Sequence, residues 1–172
     1  MFEMAADFAR FNTQFEVCGA YLSCVGDAYK KTGLVKASHR LNMCSLAVSA
    51  SSWISVDAWE ALHSEYLETA KVLDHFDEEI NGRMGGIMTP QGKKKAKIAL
   101  LAGADLIQTM STPGVWAPKD IDYILRNFGA FIVEVSIYLQ GVANGLLTFD
   151  SALARILMRR CRLFSSGRTT ST

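Results

Sequence analysis

"KIALLAGADLI", Lys97–Ile107, passes from an apolar, strand-like run into a helix-like one across a Gly-Ala-Asp step. The stretch reads as a strand opening into a helix. The small residues after the strand let backbone or ligand approach closely. The same change of pattern recurs along the chain. "FEVCGAYLSCV" (15–25) reads as a strand covered on both faces and leads to a helical "KASHRLNMCSLAVSAS" (36–51). "WISVDAW" (53–59) leads to a long helix expected over roughly 64–80. "KDIDYILRNFG" reads as a helix with Gly129 as C-cap candidate, and "AFIVEV" as a fourth strand behind it. A further helix, "FEMAADFARFNT", precedes the first strand. Strands alternating with helices predict an α/β fold with a doubly wound parallel sheet.

Composition narrows the function classes. The chain has 172 residues, 49% apolar and 20% charged, which fits one globular domain. Eighteen basic against seventeen acidic residues leave a net charge of +1, so no nucleic-acid partner is expected. No secretory pattern opens the sequence, and Ala130–Leu147 is interrupted by Glu134, Gln140 and Asn144, so no membrane partner is expected either. Cys18, Cys24, Cys44 and Cys161 form no CxxC pair and read as reduced, mostly core thiols of an intracellular protein. The stretch "NGRMGGIMTPQGKKKAK" (81–97) is expected to be a loop or mobile linker. Its basic run, Lys93–Lys97, is too short to mark a nuclear signal. Neither GxGxxG nor GxxxxGK[ST] occurs, which removes the commonest dehydrogenase and P-loop readings.

In such sheets ligands lie beyond the carboxyl ends of the strands. "VGDAYKK", "VDAWE" and "LAGAD" all fall there, with "PGVW" one helix later. Each has two readings. Lys30 and Lys31 reach a phosphate as mobile cations, or they face water on a plain turn. Asp105 accepts hydrogen bonds from a ribose, or it caps the next helix. Trp116 stacks on a flat heterocycle, or it anchors its own loop. His63 and His75, with Asp74, Asp77, Glu78 and Glu79, read as a solvated helix end, not as metal ligands.

Taken together, "VGDAYKKTGL", "HRLNMCSLAV", "SSWISVDAWEALHSEYLETAKVLDHF" and "KIALLAGADLIQTMSTPGVWAPKDIDYILRNFGAFIVE" closely resemble nicotinamide/nicotinate mononucleotide adenylyltransferases, the fungal ones in particular. The resemblance runs from about Met1 to Glu134. It implies a Rossmann-like nucleotidyltransferase domain over 1–134 and a divergent tail over 135–172. The implied reaction is adenylyl transfer from ATP to nicotinamide or nicotinate mononucleotide, with Mg²⁺, in the cytoplasm or nucleus, by a chain that can form homo-oligomers. Carried over by position, Tyr29, Lys30 and Lys31 fall on the substrate-binding turn, with Lys31 near the mononucleotide phosphate. Tyr66 and Trp116 fall beside the pyridine ring, Thr69 and Val115 at the carboxamide, and Gly103 and Asp105 at the adenosine ribose. Thr32 stands where many relatives have a lysine, and Cys24 where they have proline.

The family's G-S-F-x-P-x-x-x-x-H-x-R and S-S-T-K-I-R motifs do not occur in the sequence, and Val135 stands where an arginine is expected. The resemblance therefore assigns no catalytic residue and no metal ligand. It implies an incomplete sheet, lacking the family's central first strand and the C-terminal part, with two unpaired inner edges and an opened core. The alternative function is a non-catalytic pyridine-nucleotide-binding or partner-binding remnant.

Overall fold

The computed structural model describes residues 1–134 and 152–160. The other residues of the expected tail, Val135 and Cys161 among them, lie outside the described residues. In chain order the elements are α1 (Phe2–Asn12), β1 (Phe15–Cys24), α2 (Ala37–Val48), β2 (Ile54–Asp57), α3 (Thr69–Asp77), β3 (Ile87–Thr89), β4 (Gly92–Lys94), β5 (Lys97–Gly103), α4 (Ala104–Met110), α5 (Pro118–Asn127), β6 (Ala130–Val133) and β7 (Ala152–Arg160).

Five strands form the main sheet in the order β2-β1-β7-β5-β6. β1 pairs with β2, and β5 with β6, in parallel. β7 is antiparallel to both β1 and β5, so all four other strands run the same way and end at one edge. The α/β expectation holds, and the sheet is mixed rather than wholly parallel. The expected unpaired inner edges are corrected as well. β7, from within the stretch read as a divergent tail, pairs β1 from Phe15 to Cys24 and β5 from Lys97 to Leu101.

The core explains why β5 reads as a continuous apolar run. Ile98, Leu100 and Ala102 point to one face, against Val72, Leu73 and Phe76 of α3 and Ile124 of α5. Ala99 and Leu101 point to the other, with Ala5 of α1, Ala20, Val133 and Met158. Side chains alternate across a strand, so only one covered on both faces is apolar at every position. β1 meets that expectation in its second half alone, since Glu16 and Cys18 are exposed.

Two other expectations are corrected. The helix predicted from residue 64 begins at Thr69. Glu60–Leu62 instead form a single 3₁₀ turn. The buried Glu60 carboxylate accepts a hydrogen bond from Ser23 Oγ at 2.6 Å, which holds this turn against the end of β1. Past Asp77 the helix widens into a π-helical stretch over Glu78–Arg83. The supposed linker 81–97 holds the β3–β4 hairpin. Asn81 closes its base: Nδ2 donates to the Ala96 carbonyl at 2.8 Å and Oδ1 accepts from the Ala96 amide at 2.7 Å. A side-chain amide thus takes the place of a ladder residue, which no glycine count reveals. The C-cap expectation shifts by one residue: Phe128 is the cap of α5, and Gly129 follows it in the left-handed region at φ 79°, directing its N–H to the Ile124 carbonyl at 2.9 Å. Among the described residues, no helix is long and apolar enough to cross a membrane.

Candidate functional site

β1, β2, β5 and β6 end at one edge of the sheet, where the lysine turn follows β1 and Gly103–Asp105 close β5. β1 ends at Cys24, and Gly26 starts a turn through Asp27–Tyr29 to Lys30 and Lys31. A Cβ on Gly26 would lie 3.2 Å from the Glu60 carbonyl oxygen and 3.3 Å from that of His63. Those contacts are with backbone, which cannot swing aside, so this crossing favours glycine. Asp27 then fixes the far side of the turn. Its Oδ1 accepts the Ala37 amide, the first of α2, at 2.7 Å. It also lies 3.4 Å from Nη2 of the buried Arg40, whose Nε donates to the Val35 carbonyl at 2.7 Å. A carboxylate at a helix start favours the helix dipole as well. Lys30, at φ 51°, is the one non-glycine residue with positive φ among the described residues, and it turns the chain so that both lysines are exposed.

The Tyr29 and Tyr66 rings stack with centroids 5.5 Å apart and planes 24° from parallel. Burial, then the neighbouring Tyr29, pushes the Tyr66 phenol above its ordinary range, so it stays protonated. Thr69, the first residue of α3, is buried. Beside it the Lys71 ammonium, 2.7 Å from Glu68, holds that carboxyl below its usual range.

β5 ends at Gly103, which is also the N-cap of α4. The alternative reading of Asp105 as the cap is therefore corrected: Asp105 is exposed and stands in the first turn. Its carboxylate folds back over Gly103, so that a Cβ there would lie 2.3 Å from Oδ1. Trp116 does anchor its loop, since Nε1 donates to Thr109 Oγ1 at 2.8 Å and the ring packs against the α3–β5 core. Val115 beside it is exposed.

Sequence spacing left three features unseen. One is the buried Ser23–Glu60 pair. The second is the Arg40–Asp27 fastening. In the third, Trp59 is flanked by His75, parallel to it within 4° at 4.0 Å, and by His63 at 4.3 Å. His75 Nε2 lies 3.8 Å from Asp57. The solvated-helix-end reading is thus corrected for both histidines. Among the described residues no group of three or more His, Cys, Asp or Glu is placed to hold a metal ion.

The chain is 57% identical over 136 residues to nicotinamide/nicotinic acid mononucleotide adenylyltransferase 2 of Saccharomyces cerevisiae, covering 78% of this chain and 34% of that protein. It is 54% identical over 136 residues to the Schizosaccharomyces pombe protein of the same name without the numeral, covering 78% and 37%. A bovine relative, nicotinamide/nicotinic acid mononucleotide adenylyltransferase 1, is 32% identical over 162 residues, covering 77% and 58%. The chain thus spans about a third of the length of the fungal relatives it matches. No protein-family model matches it.

Proposed function

We propose that the chain is a member of the nicotinamide/nicotinic acid mononucleotide adenylyltransferase family, whose fungal proteins it matches at 54% and 57% identity, and that its strand-end site takes nicotinamide or nicotinate mononucleotide as acceptor for the adenylyl group of ATP. The observation that carries this is the 57% identity to a protein of that name, supported by the lysine turn and Gly103–Asp105 standing at the ends of two strands that run the same way.

The chemistry follows from charge and placement. An oxygen of the mononucleotide phosphate attacks the α-phosphorus of ATP, the bond to the β-phosphate oxygen breaks, and NAD (or its nicotinate form) and pyrophosphate result. Such transfer needs positioning and stabilisation of phosphoryl oxygens more than covalent help. Lys31, with Lys30, offers positive charge to the acceptor phosphate on a turn that Asp27 and Gly26 hold in place. Tyr66 and Trp116 offer aromatic faces to the pyridine ring, with Val115 and the Thr69 backbone toward the carboxamide. Asp105, beside a glycine with no side chain to crowd it, accepts from a ribose diol. The described carboxylates do not form a metal cage; Mg²⁺ would enter on the ATP phosphates and keep several waters, as that ion usually does.

Calorimetry of the whole chain with each mononucleotide, beside an assay for NAD formed from ATP and Mg²⁺, tests the assignment. Binding with turnover supports adenylyl transfer. Binding without product assigns the non-catalytic module instead, and no binding to either mononucleotide overturns both.

A further inference from the structure

The Sγ atoms of Cys24 and Cys44 lie 3.4 Å apart, in contact with no atom between them. Both side chains are buried. A disulfide has sulfurs at about 2.05 Å, so bond formation asks for roughly 1.3 Å of closure from the 3.4 Å contact. Cys24 is the last residue of β1, and Cys44 lies within α2. The chain between them, with a sequence separation of 20, carries the whole lysine turn. Arg40 precedes Cys44 by one helical turn and is itself buried, with Nη1 lacking a hydrogen-bond partner. Its charge favours the Cys24 thiolate, while burial, together with Cys44, pushes that thiol up to about 12. The pair is therefore quiet at rest, with a cation in place when one sulfur does ionise.

We propose that Cys24 and Cys44 form a reversible intramolecular disulfide that fastens the lysine turn to α2 when a peroxide reaches them. One sulfur attacks a peroxide oxygen; the S–O bond forms as O–O breaks, giving a sulfenic acid and water. The second sulfur displaces the sulfenic hydroxyl; S–S forms, S–O breaks, and hydroxide leaves as water with the second thiol's proton. Two thiols and one hydrogen peroxide give one disulfide and two waters. Each sulfur loses one electron and each peroxide oxygen gains one. This device is independent of which nucleotide the site takes.

The experiment uses the full chain carrying Cys18→Ser and Cys161→Ser, which leaves the pair as its only cysteines. After hydrogen peroxide, the thiols that can be alkylated in denaturant should fall from two to none. Intact mass should drop by two hydrogens, and dithiothreitol should restore both thiols. The oxidised form should melt higher by at least about 3 °C, and tryptic cleavage after Lys30 and Lys31 should slow several-fold. Cys44→Ala should abolish all of these changes. If the double variant does not fold, the wild-type chain is oxidised and mapped for a peptide joining Cys24 to Cys44. Oxygen adducts on separate sulfurs, a covalent dimer, or two thiols persisting under peroxide would overturn the disulfide. A disulfide that leaves the tryptic rate unchanged would overturn its fastening of the turn.

Discussion

Lys31 and Gly103 test the site by opposite means. Lys31 is exposed, and surface charges of that kind contribute little to folding. Lys31→Ala should leave thermal stability within about 1 °C, yet weaken mononucleotide binding about tenfold, the loss of one charge-assisted hydrogen bond. A calorimetric Kd that does not change would remove Lys31 from the phosphate. Gly103→Ala adds a methyl group where the Asp105 carboxylate now rests, 2.3 Å from the Cβ position. The backbone at φ −73° accepts alanine, so the cost falls on the carboxylate, which must swing away. ATP affinity should drop several-fold with little change in melting temperature; a normal affinity would detach Asp105 from the ribose. The strand-end positions of Lys31 and Asp105 were legible because strand ends are read from hydrophobic patterning, and the glycine, lysine and aspartate beside them are local. Glu60 and Arg40 were not. A buried carboxylate paired with a serine 37 residues away leaves no periodic trace.

Between elements, α3 and α5 are joined across their exposed side by Tyr123, whose hydroxyl donates to Asp74 at 2.7 Å. That hydrogen bond, before any burial, lifts the phenol above its ordinary range. A phenol that holds its proton more tightly when folded contributes stability at and below its unfolded pKa, near 10. The contribution is lost as pH rises through the higher folded value. Tyr123→Phe should therefore cost at most about 0.5 kcal/mol at neutral pH, because the pair is exposed. It should also flatten the decline in stability above about pH 10. Urea midpoints for both proteins at pH 7 and above pH 10 check this; parallel curves would rule out a clasp. The helices themselves were legible from their apolar spacing, with Ala70, Leu73 and Phe76 buried along α3. The β3–β4 hairpin was not, because three-residue strands joined at Pro90-Gln91 leave too little alternation to outweigh the surrounding glycines.

For the whole molecule, β7 is the strand on which the main sheet depends. Among the described residues it alone joins β1–β2 to β5–β6. Leu157 stands opposite both Gly19 and Ile98, and proline there removes a ladder donor from a central strand, whereas proline in sheets is confined to edges and bulges. Leu157→Pro should abolish cooperative thermal unfolding. In the unaltered chain, amides of β1 and β5 that face β7 should exchange with deuterium slowest, and those of the two-stranded hairpin much sooner. Rapid exchange along β5 would contradict the central placement of β7. This strand was not legible in the sequence because the resemblance that orders the rest of the chain stops near Glu134, well before Ala152–Arg160 begins. Its position also orders events during synthesis. β1 and β5 are made long before the strand that unites them, and pairing Phe15 with Arg160 closes a loop of about 145 residues. Until then the two halves of the sheet present open inner edges, so slow assembly and chaperone demand follow from topology alone.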